Sequence, residues 1–475
     1  MTQYDAVVVG AGPNGLAAAI VLARAGLSVL VREANSTIGG GARTLELTLP
    51  GYLHDVGSAV HPMAAASPFF RSLPLSEHGL EWIQPPLPLV HPFDSLPSAL
   101  LERSVADTAA NLGSDGAAYV RLFRSFVQHW DQLASDVLGP SLHLPSHPIL
   151  LARFGIRALC PADFLAKTLF RGQRARGLFA GLAAHSIVPL EKPASSAIGL
   201  VMALTGHAVG WPFPRGGAQQ ISSALASYLQ SLGGAIETSA PVTHLDELPK
   251  ARATLLDLTP SQVVRVAAKR LPEGYKRALT RYSYGPAIFK MDWALAGPIP
   301  WTDPACRRTA TLHLGSTLEE IGDSERDAWE GRCSEKPYVL LAQQSLFDPS
   351  RAPAGRHTGW AYCHVPHGST RDRSAMIEAQ IERYAPGFRD LILARHSSNA
   401  TQLETSNANL VGGDIAGGAN NLWQLLARPV LAVDPYRTPV KGLYLCSSST
   451  PPGGGVHGMC GYHAAMSALK HTFGR

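Results

Sequence analysis

Gly10, Gly12 and Gly15 follow an apolar run, Val7 to Val9, and precede a helix-like run that leads into a second apolar stretch closed by Glu33. Glycines at this spacing let main chain approach a pyrophosphate. Gly10 permits the tight turn off a first strand, Gly12 gives the close approach, and Gly15 lets helix and strand pack. Pro13 and Asn14 open the helix, whose free N–H groups and positive dipole end would face the phosphates. Glu33 closes the second strand, where a carboxylate can accept both ribose hydroxyls and disfavours a 2′-phosphate. The expectation is a dinucleotide other than NADP. A lone Gly-x-Gly-x-x-Gly is weak because glycine-rich turns are common, but here strands, helix and acid agree.

Two further glycine segments could serve the same ligand. In Ile38-Gly-Gly-Gly-Ala-Arg-Thr44, Gly40 and Gly41 could reach the pyrophosphate and Arg43 could neutralise it; a flexible turn with a surface arginine is the competing reading. Near the other end, residues 442–446 read as a buried strand, 447–455 as a loop and 456–473 as a helix. Gly453, Gly455 and Gly458 match the bare glycine pattern again. Only 17 residues follow Gly458, too few for a second strand and acid, so a second nucleotide fold is not expected here. It reads instead as another glycine-lined helix N-terminus, aimed at the first ligand's phosphates or ring.

The elements needed to hold these segments follow from the remaining pattern. At 475 residues the chain exceeds the size at which one core stops growing, so two or more domains are expected. Residues 45–52 read as extended. Residues 62–204 interleave apolar residues with many prolines, and helical stretches at 117–133 and 164–184 mark a mostly helical insertion. A helix at 219–232, a strand at 236–238, Val242 and a strand at 255–258 return to the first sheet. Strand-rich segments at 281–293 and 338–365, with a helix at 375–385, suggest a second sheet. The predicted fold is α/β: a discontinuous Rossmann-like cofactor domain from 1–61, 205–265 and 430–475, and an α+β substrate domain from 62–204 and 266–429.

Composition narrows the function classes. The hydrophobic share of 45% suits a globular chain, and a formal charge of +5 with no basic run argues against a nucleic-acid partner. No stretch approaches the roughly 18 uninterrupted apolar residues of a membrane span. The first strand begins close to Met1, which predicts no cleavable leader and a cytoplasmic chain. The six cysteines form no C-x-x-C pair, so neither dithiol chemistry nor structural zinc is expected, and no metal site is assigned. His364 and His367 resemble a metal pair by type only, because Pro366 disfavours helical spacing; they read as loop or strand-end residues. Ser447 to Ser449 lie in no nucleophile-elbow sequence. His61, His457, Tyr462 and His463 are candidates to lie near a bound ring, each histidine with a capping or hydrogen-bonded role as the alternative.

Gly10 to Glu33, the glycine cluster with Arg43, the Pro-Arg-Gly-Gly217 segment with Val242, and residues 442–458 together resemble the phytoene-desaturase-like flavoproteins, most closely the subgroup named for a pyridine nucleotide-disulphide oxidoreductase domain. The resemblance covers most of the chain and is strong at these segments. It implies extended FAD, with Gly10, Gly12, Gly15 and Arg43 at the pyrophosphate, Glu33 at the adenosine ribose, the Val242 backbone by the adenine, and Gly454 to Val456 near phosphates and flavin. Two departures stand out: Ala42 separates the glycines from Arg43, where relatives often run Gly-Gly-Arg, and His457 replaces a small or apolar residue. The implied activity is that of an FAD-dependent oxidoreductase, in which hydride is taken from a small, apolar organic substrate and electrons pass to oxygen, a quinone or another carrier. A flavin amine oxidase is the alternative, with Tyr284, Trp360 or Tyr462 as candidate cage rings. An alternative of another class is an FAD-binding interaction protein. The 62–204 region would line an apolar tunnel, dip into a membrane surface, or simply pack over the cofactor domain.

Overall fold

The structure is a computed structural model and describes residues 4–475. Five short strands, β1 (Ala6–Val9), β2 (Val29–Arg32), β3 (Ala235–Glu237), β4 (Ala253–Leu256) and β5 (Leu443–Leu445), form one parallel sheet in the order β5-β4-β1-β2-β3. In register, Ala6 faces both Val29 and Ala253. β1 is buried along its whole length, which is why it reads as a continuous apolar run rather than an alternating one. The sheet therefore draws strands from the beginning, middle and end of the chain.

Three helices matter for the site: α1 (Pro13–Arg24), α2 (Gln219–Ser231) and α3 (Met459–Ala468). α1 is buried from Asn14 through Ala23 and is rich in alanine, so neighbouring backbones can come close. α3 uses this closeness: a side-chain carbon on Gly461 would lie 1.8 Å from the Asn14 carbonyl oxygen.

A second sheet has seven strands, in the order Ile392–Ser398, Ala287–Leu295, His357–Val365, Val339–Ala342, Thr311–Leu314, Leu89–His91, Ala99–Leu101. Its own apolar core includes Phe289, Met291, Trp293 and Phe388. Two of its strands come from the segment expected to be helical. That segment does fold mainly into helices, and many of its apolar residues share one core with β1, α1 and α2.

Several local expectations are corrected. The stretch at 117–133 divides into Gly116–Gln128 and Trp130–Val137, because His129 leaves helical geometry and bonds the Ser125 carbonyl through Nδ1 at 2.8 Å. The stretch at 164–184 divides into Ala162–Leu169 and Gln173–Ala183. Buried Asp115 accepts the Arg171 and Gly172 amides at 2.8 and 2.7 Å, an interaction that competes with a continuous helix. In the extended segment at 45–52, strand covers only Thr44–Glu46, which pairs back on Leu53–Asp55. The last helix starts at Met459 rather than Val456, since Gly455 and Gly458 have φ of +120° and +69°. Among the described residues no helix is long and apolar enough to cross a membrane.

Candidate cofactor site

Packing brings the three glycine segments together. The Gly39 amide donates to the Ala11 carbonyl at 2.9 Å, and a side-chain carbon on Gly40 would lie 3.3 Å from the Gly12 Cα. Gly41 is held by the Ser58 amide, which donates to its carbonyl at 3.0 Å. From the far end of the chain, Ser448 Oγ accepts from Asn14 Nδ2 at 3.3 Å, and Gly461 seats α3 against the start of α1. Pro13 forms the first residue of α1, directly after Gly12.

Glu33 is buried at the end of β2. Its Oε2 accepts the Ala11 amide at 2.8 Å, while Oε1 accepts the Asn35 amide at 2.9 Å and Asn35 Nδ2 at 3.1 Å. A carboxylate has about four acceptor positions, so these three bonds leave one. Holding two ribose hydroxyls would require Asn35 Nδ2 to give way. The Ala240 amide donates to the Glu33 carbonyl at 2.8 Å, which carries the following segment past the acid. Val242 itself is half-buried against a small separate core that includes Val9 and Leu256.

Arg43 is buried, yet its guanidinium donates only to carbonyls, of Gly40 at 2.9 Å and Ser406 at 3.0 Å. Burial lowers its pKa, while the Glu33 charge acts in the opposite direction. The side chain borders a cavity of about 390 Å³ that it shares with Asn35, Lys290, His396 and Gln402. The Lys290 charge is matched by its buried partner Asp292; that of Arg43 has no ion-pair partner among the described residues. Asn14 Oδ1, at the α1 N-terminus, is likewise buried and without a partner. A free buried acceptor needs a donor, and an unmatched cation beside a helix N-terminus favours an anion. These residues fit a dinucleotide.

One acid of the site escaped sequence reasoning. Asp257 follows β4, its Oδ2 accepts the Gly15 amide at 3.0 Å, and it lies against Gly10 and Gly12. The available signal was an acid closing an apolar run, the same pattern that singled out Glu33. Asp55 was also missed. Its carboxylate accepts from Thr44 Oγ1 and the Ala218 amide, both at 2.8 Å, and pairs with buried Arg351, tying the segment after the second glycine cluster to the second sheet's loops.

The remaining candidates are dispersed. Gly454 and Gly455 are exposed and Val456 is half-buried. His457 is buried; its Nδ1 accepts the Met459 amide at 3.0 Å and so caps α3, and burial pulls its pKa down to about 4, which keeps it neutral. Behind this loop, buried Arg428 donates to Tyr282 Oη at 2.9 Å and the Gly418 carbonyl at 2.7 Å. His61 shares a 3.0 Å bond with Ser58 Oγ and leaves Nδ1 unpartnered. Tyr462 packs on Phe69, and His463 bonds the Leu138 carbonyl at 3.0 Å. Tyr284 bonds Thr259 Oγ1 at 2.7 Å, and Trp360 Nε1 donates to the Asp55 carbonyl at 3.1 Å. The rings of Tyr284, Trp360 and Tyr462 each have other aromatic neighbours and are not packed on one another. His364 ends a strand with Nδ1 2.7 Å from Glu325 Oε1, and His367 bonds the Gly285 carbonyl at 2.9 Å, so the two have separate partners.

Comparison with known proteins agrees with the fold. Residues 8–73 match the model of the NAD(P)-binding Rossmann-like domain. Pyridine nucleotide-disulfide oxidoreductase domain-containing protein 2 of Rattus norvegicus is 27% identical over 98% of this chain and 94% of its own. The lycopene-forming phytoene desaturase of a Paracoccus species is 25% identical over 98% of this chain and 96% of its own. Among solved structures, putrescine oxidase bound to putrescine superposes with a TM-score of 0.63 at 20% identity, covering 100% of both chains. Over 98% of its residues, this chain is similar in sequence to a pyridine nucleotide-disulfide oxidoreductase domain-containing protein and to a phytoene desaturase.

Proposed function

We propose that the chain binds FAD and dehydrogenates or desaturates a small organic substrate, with electrons leaving to oxygen, a quinone or another carrier. The observation that carries this reading is the meeting of three glycine segments beside two unmatched groups, the Arg43 guanidinium and Asn14 Oδ1. Gly10, Gly12 and Asn14 would hold the pyrophosphate with Arg43, Glu33 would take one ribose hydroxyl, and Gly454 to Val456 would lie toward the ring. Bound FAD would supply hydride acceptance. The chain's own part is to orient the substrate's C–H bond and exclude water, which needs no protein nucleophile.

An apolar substrate is supported by exposed apolar side chains. Leu144 is 96% exposed, and Ile149 and Ile156 also stand free on the helix Pro148–Ala158, which carries Arg153 and Arg157. Ser141 Oγ bonds the Leu425 carbonyl at 3.0 Å, which brings exposed Trp423 and Leu426 to the same region. Apolar residues interspersed with arginines are suited to peripheral contact with a lipid surface. For amine oxidation, the candidate cage rings Tyr284, Trp360 and Tyr462 make no direct aromatic contact with one another.

The test is reconstitution with FAD followed by anaerobic addition of terpenoid, fatty and amine substrates. Bleaching of the flavin absorbance by one class identifies the reaction. FAD that binds tightly but is reduced by none of them, together with a stable protein partner, would replace the enzymatic reading with an interaction role.

A further inference from the structure

The glycine loop of α1 has an unusual neighbour. An acid, Asp257, fills the hollow inside the loop: a side-chain carbon on Gly12 would lie 2.8 Å from Asp257 Oδ2, and one on Gly10 would lie 3.0 Å from its Cβ. Oδ2 accepts the Gly15 amide at 3.0 Å, so the carboxyl already uses one of the free N–H groups at the helix start. Oδ1 accepts no hydrogen bond among the described residues. Close by, Asn14 Oδ1 is buried and also has no partner. The glycine turn and the α1 N-terminus favour an oxygen-rich anion, yet an ionised carboxylate would stand beside its negative charge.

We propose that Asp257 binds the dinucleotide in its acid form, with the carboxyl O–H donating to a phosphate oxygen while Oδ2 continues to accept from Gly15. This rests on the FAD reading above. When the ligand arrives at an ionised Asp257, one proton is taken up from solvent, the like-charge repulsion disappears and a donor is gained. Cofactor capture therefore weakens as the pH rises.

The surroundings are arranged for this titration. Burial pushes Asp257 up to about 7, opposed by the Gly15 amide and assisted by the charge of Glu33 at the end of β2. The other titratable groups near it are Cys446, beyond the end of β5, and Cys460 on α3, both thiols held neutral by burial, the latter up at about 12. The loop and α1 contribute no titratable side chain to it. From the crossing segment, Asn409 brings only an amide, donating to the Asp257 carbonyl at 2.9 Å. No cation is among the groups acting on the carboxyl.

The experiment is a fluorescence titration of FAD into FAD-stripped protein between pH 6 and 9, with the FAD-induced rise in melting temperature as a second readout. The expected Kd is constant below about pH 7 and rises by up to about tenfold per pH unit above it. Asp257→Asn, which can accept and donate at the same two atoms, is expected to bind with a Kd that does not change with pH. Calorimetry of the native protein at pH 8 in buffers of different ionisation enthalpy should show uptake of about one proton. A flat native profile, an unchanged slope in Asp257→Asn, loss of FAD by a folded Asp257→Asn, or no proton uptake would each overturn the assignment. If that variant does not fold, the native profile and the proton count still decide. Absence of FAD binding at every pH would overturn the FAD reading as well, and is distinct from binding that ignores pH.

Discussion

The Ala11 amide donates to Glu33 Oε2 at 2.8 Å, so the acid that ends β2 holds down the glycine turn that ends β1. This bond gives Glu33 a structural duty besides any contact with ribose. Replacing it with Ala leaves a buried amide without its acceptor, which costs about 1–3 kcal/mol. Glu33→Ala should therefore lower both FAD affinity and the urea midpoint of the ligand-free protein. Asn35→Ala frees an acceptor position on Oε1 and should leave FAD affinity equal or higher in the same fluorescence titration.

Arg43 is predicted to contribute through charge. Its bonds to Gly40 and Ser406 carbonyls survive in no shorter side chain, and a charge-assisted contact to phosphate is worth about 1.5–3 kcal/mol. Arg43→Gln should weaken FAD binding by about ten- to a hundredfold. An affinity within a factor of about two of the native value would remove Arg43 from the site.

Gly461 is predicted to be irreplaceable at the α1–α3 contact. A methyl group there would meet the Asn14 carbonyl at 1.8 Å, and both partners are backbone, which cannot swing aside. Overpacking of this kind costs about 1–3 kcal/mol or more. Gly461→Ala should lower the melting temperature, whereas Ala at exposed Gly274, with nothing within 4 Å, should not.

Acid should destabilise the protein from mildly acidic pH. Burial pulls His61, His91 and His457 down to about 4 and His185 to about 3, against 6.5 when unfolded. The unfolded chain thus binds more protons between those values, and stability rises with pH across that window. Urea midpoints should fall as pH is lowered from 6.5 toward 4, and should change little between pH 7 and 8 from this source. His91→Gln should flatten the decline; an equal slope in that variant would mean that another group carries it.

Contact with lipid is tested by co-sedimentation with anionic vesicles. Leu144→Glu combined with Ile149→Glu should reduce the bound fraction while leaving the melting temperature unchanged, because both side chains are already in water. Equal sedimentation of native and variant protein would mean that these side chains are simply solvated.

Legibility along the chain followed the range of the physics involved. Gly10, Gly12, Gly15 and Glu33 could be read because the turn, the helix N-terminus and the acid at the strand end are set within one βαβ unit. The helix at 219–232 and the strand at 236–238 were readable for the same reason: periodicity and flanking glycines are local. The breaks at His129 and at Arg171–Gly172 were not, since the second depends on Asp115, more than fifty residues away along the chain. Two strands of the second sheet hid inside a helical, proline-rich segment because Leu89–His91 joins the sheet through a distant partner, with Val90 facing Leu312, and Ala99–Leu101 pairs with that strand.

The same division holds at the site. Residue types and spacing by themselves pointed to a dinucleotide, since Gly10 permits the tight turn, where its φ is +104°, and Gly12 leaves room for a phosphate. Folding decided which groups meet there. It set Gly40 against Gly12, seated Gly461 on Asn14, filled Glu33 with Ala11, and put the Asp257 carboxyl inside the loop. Those contacts join residues tens to hundreds of positions apart, where no spacing rule operates and close packing alone determines what touches.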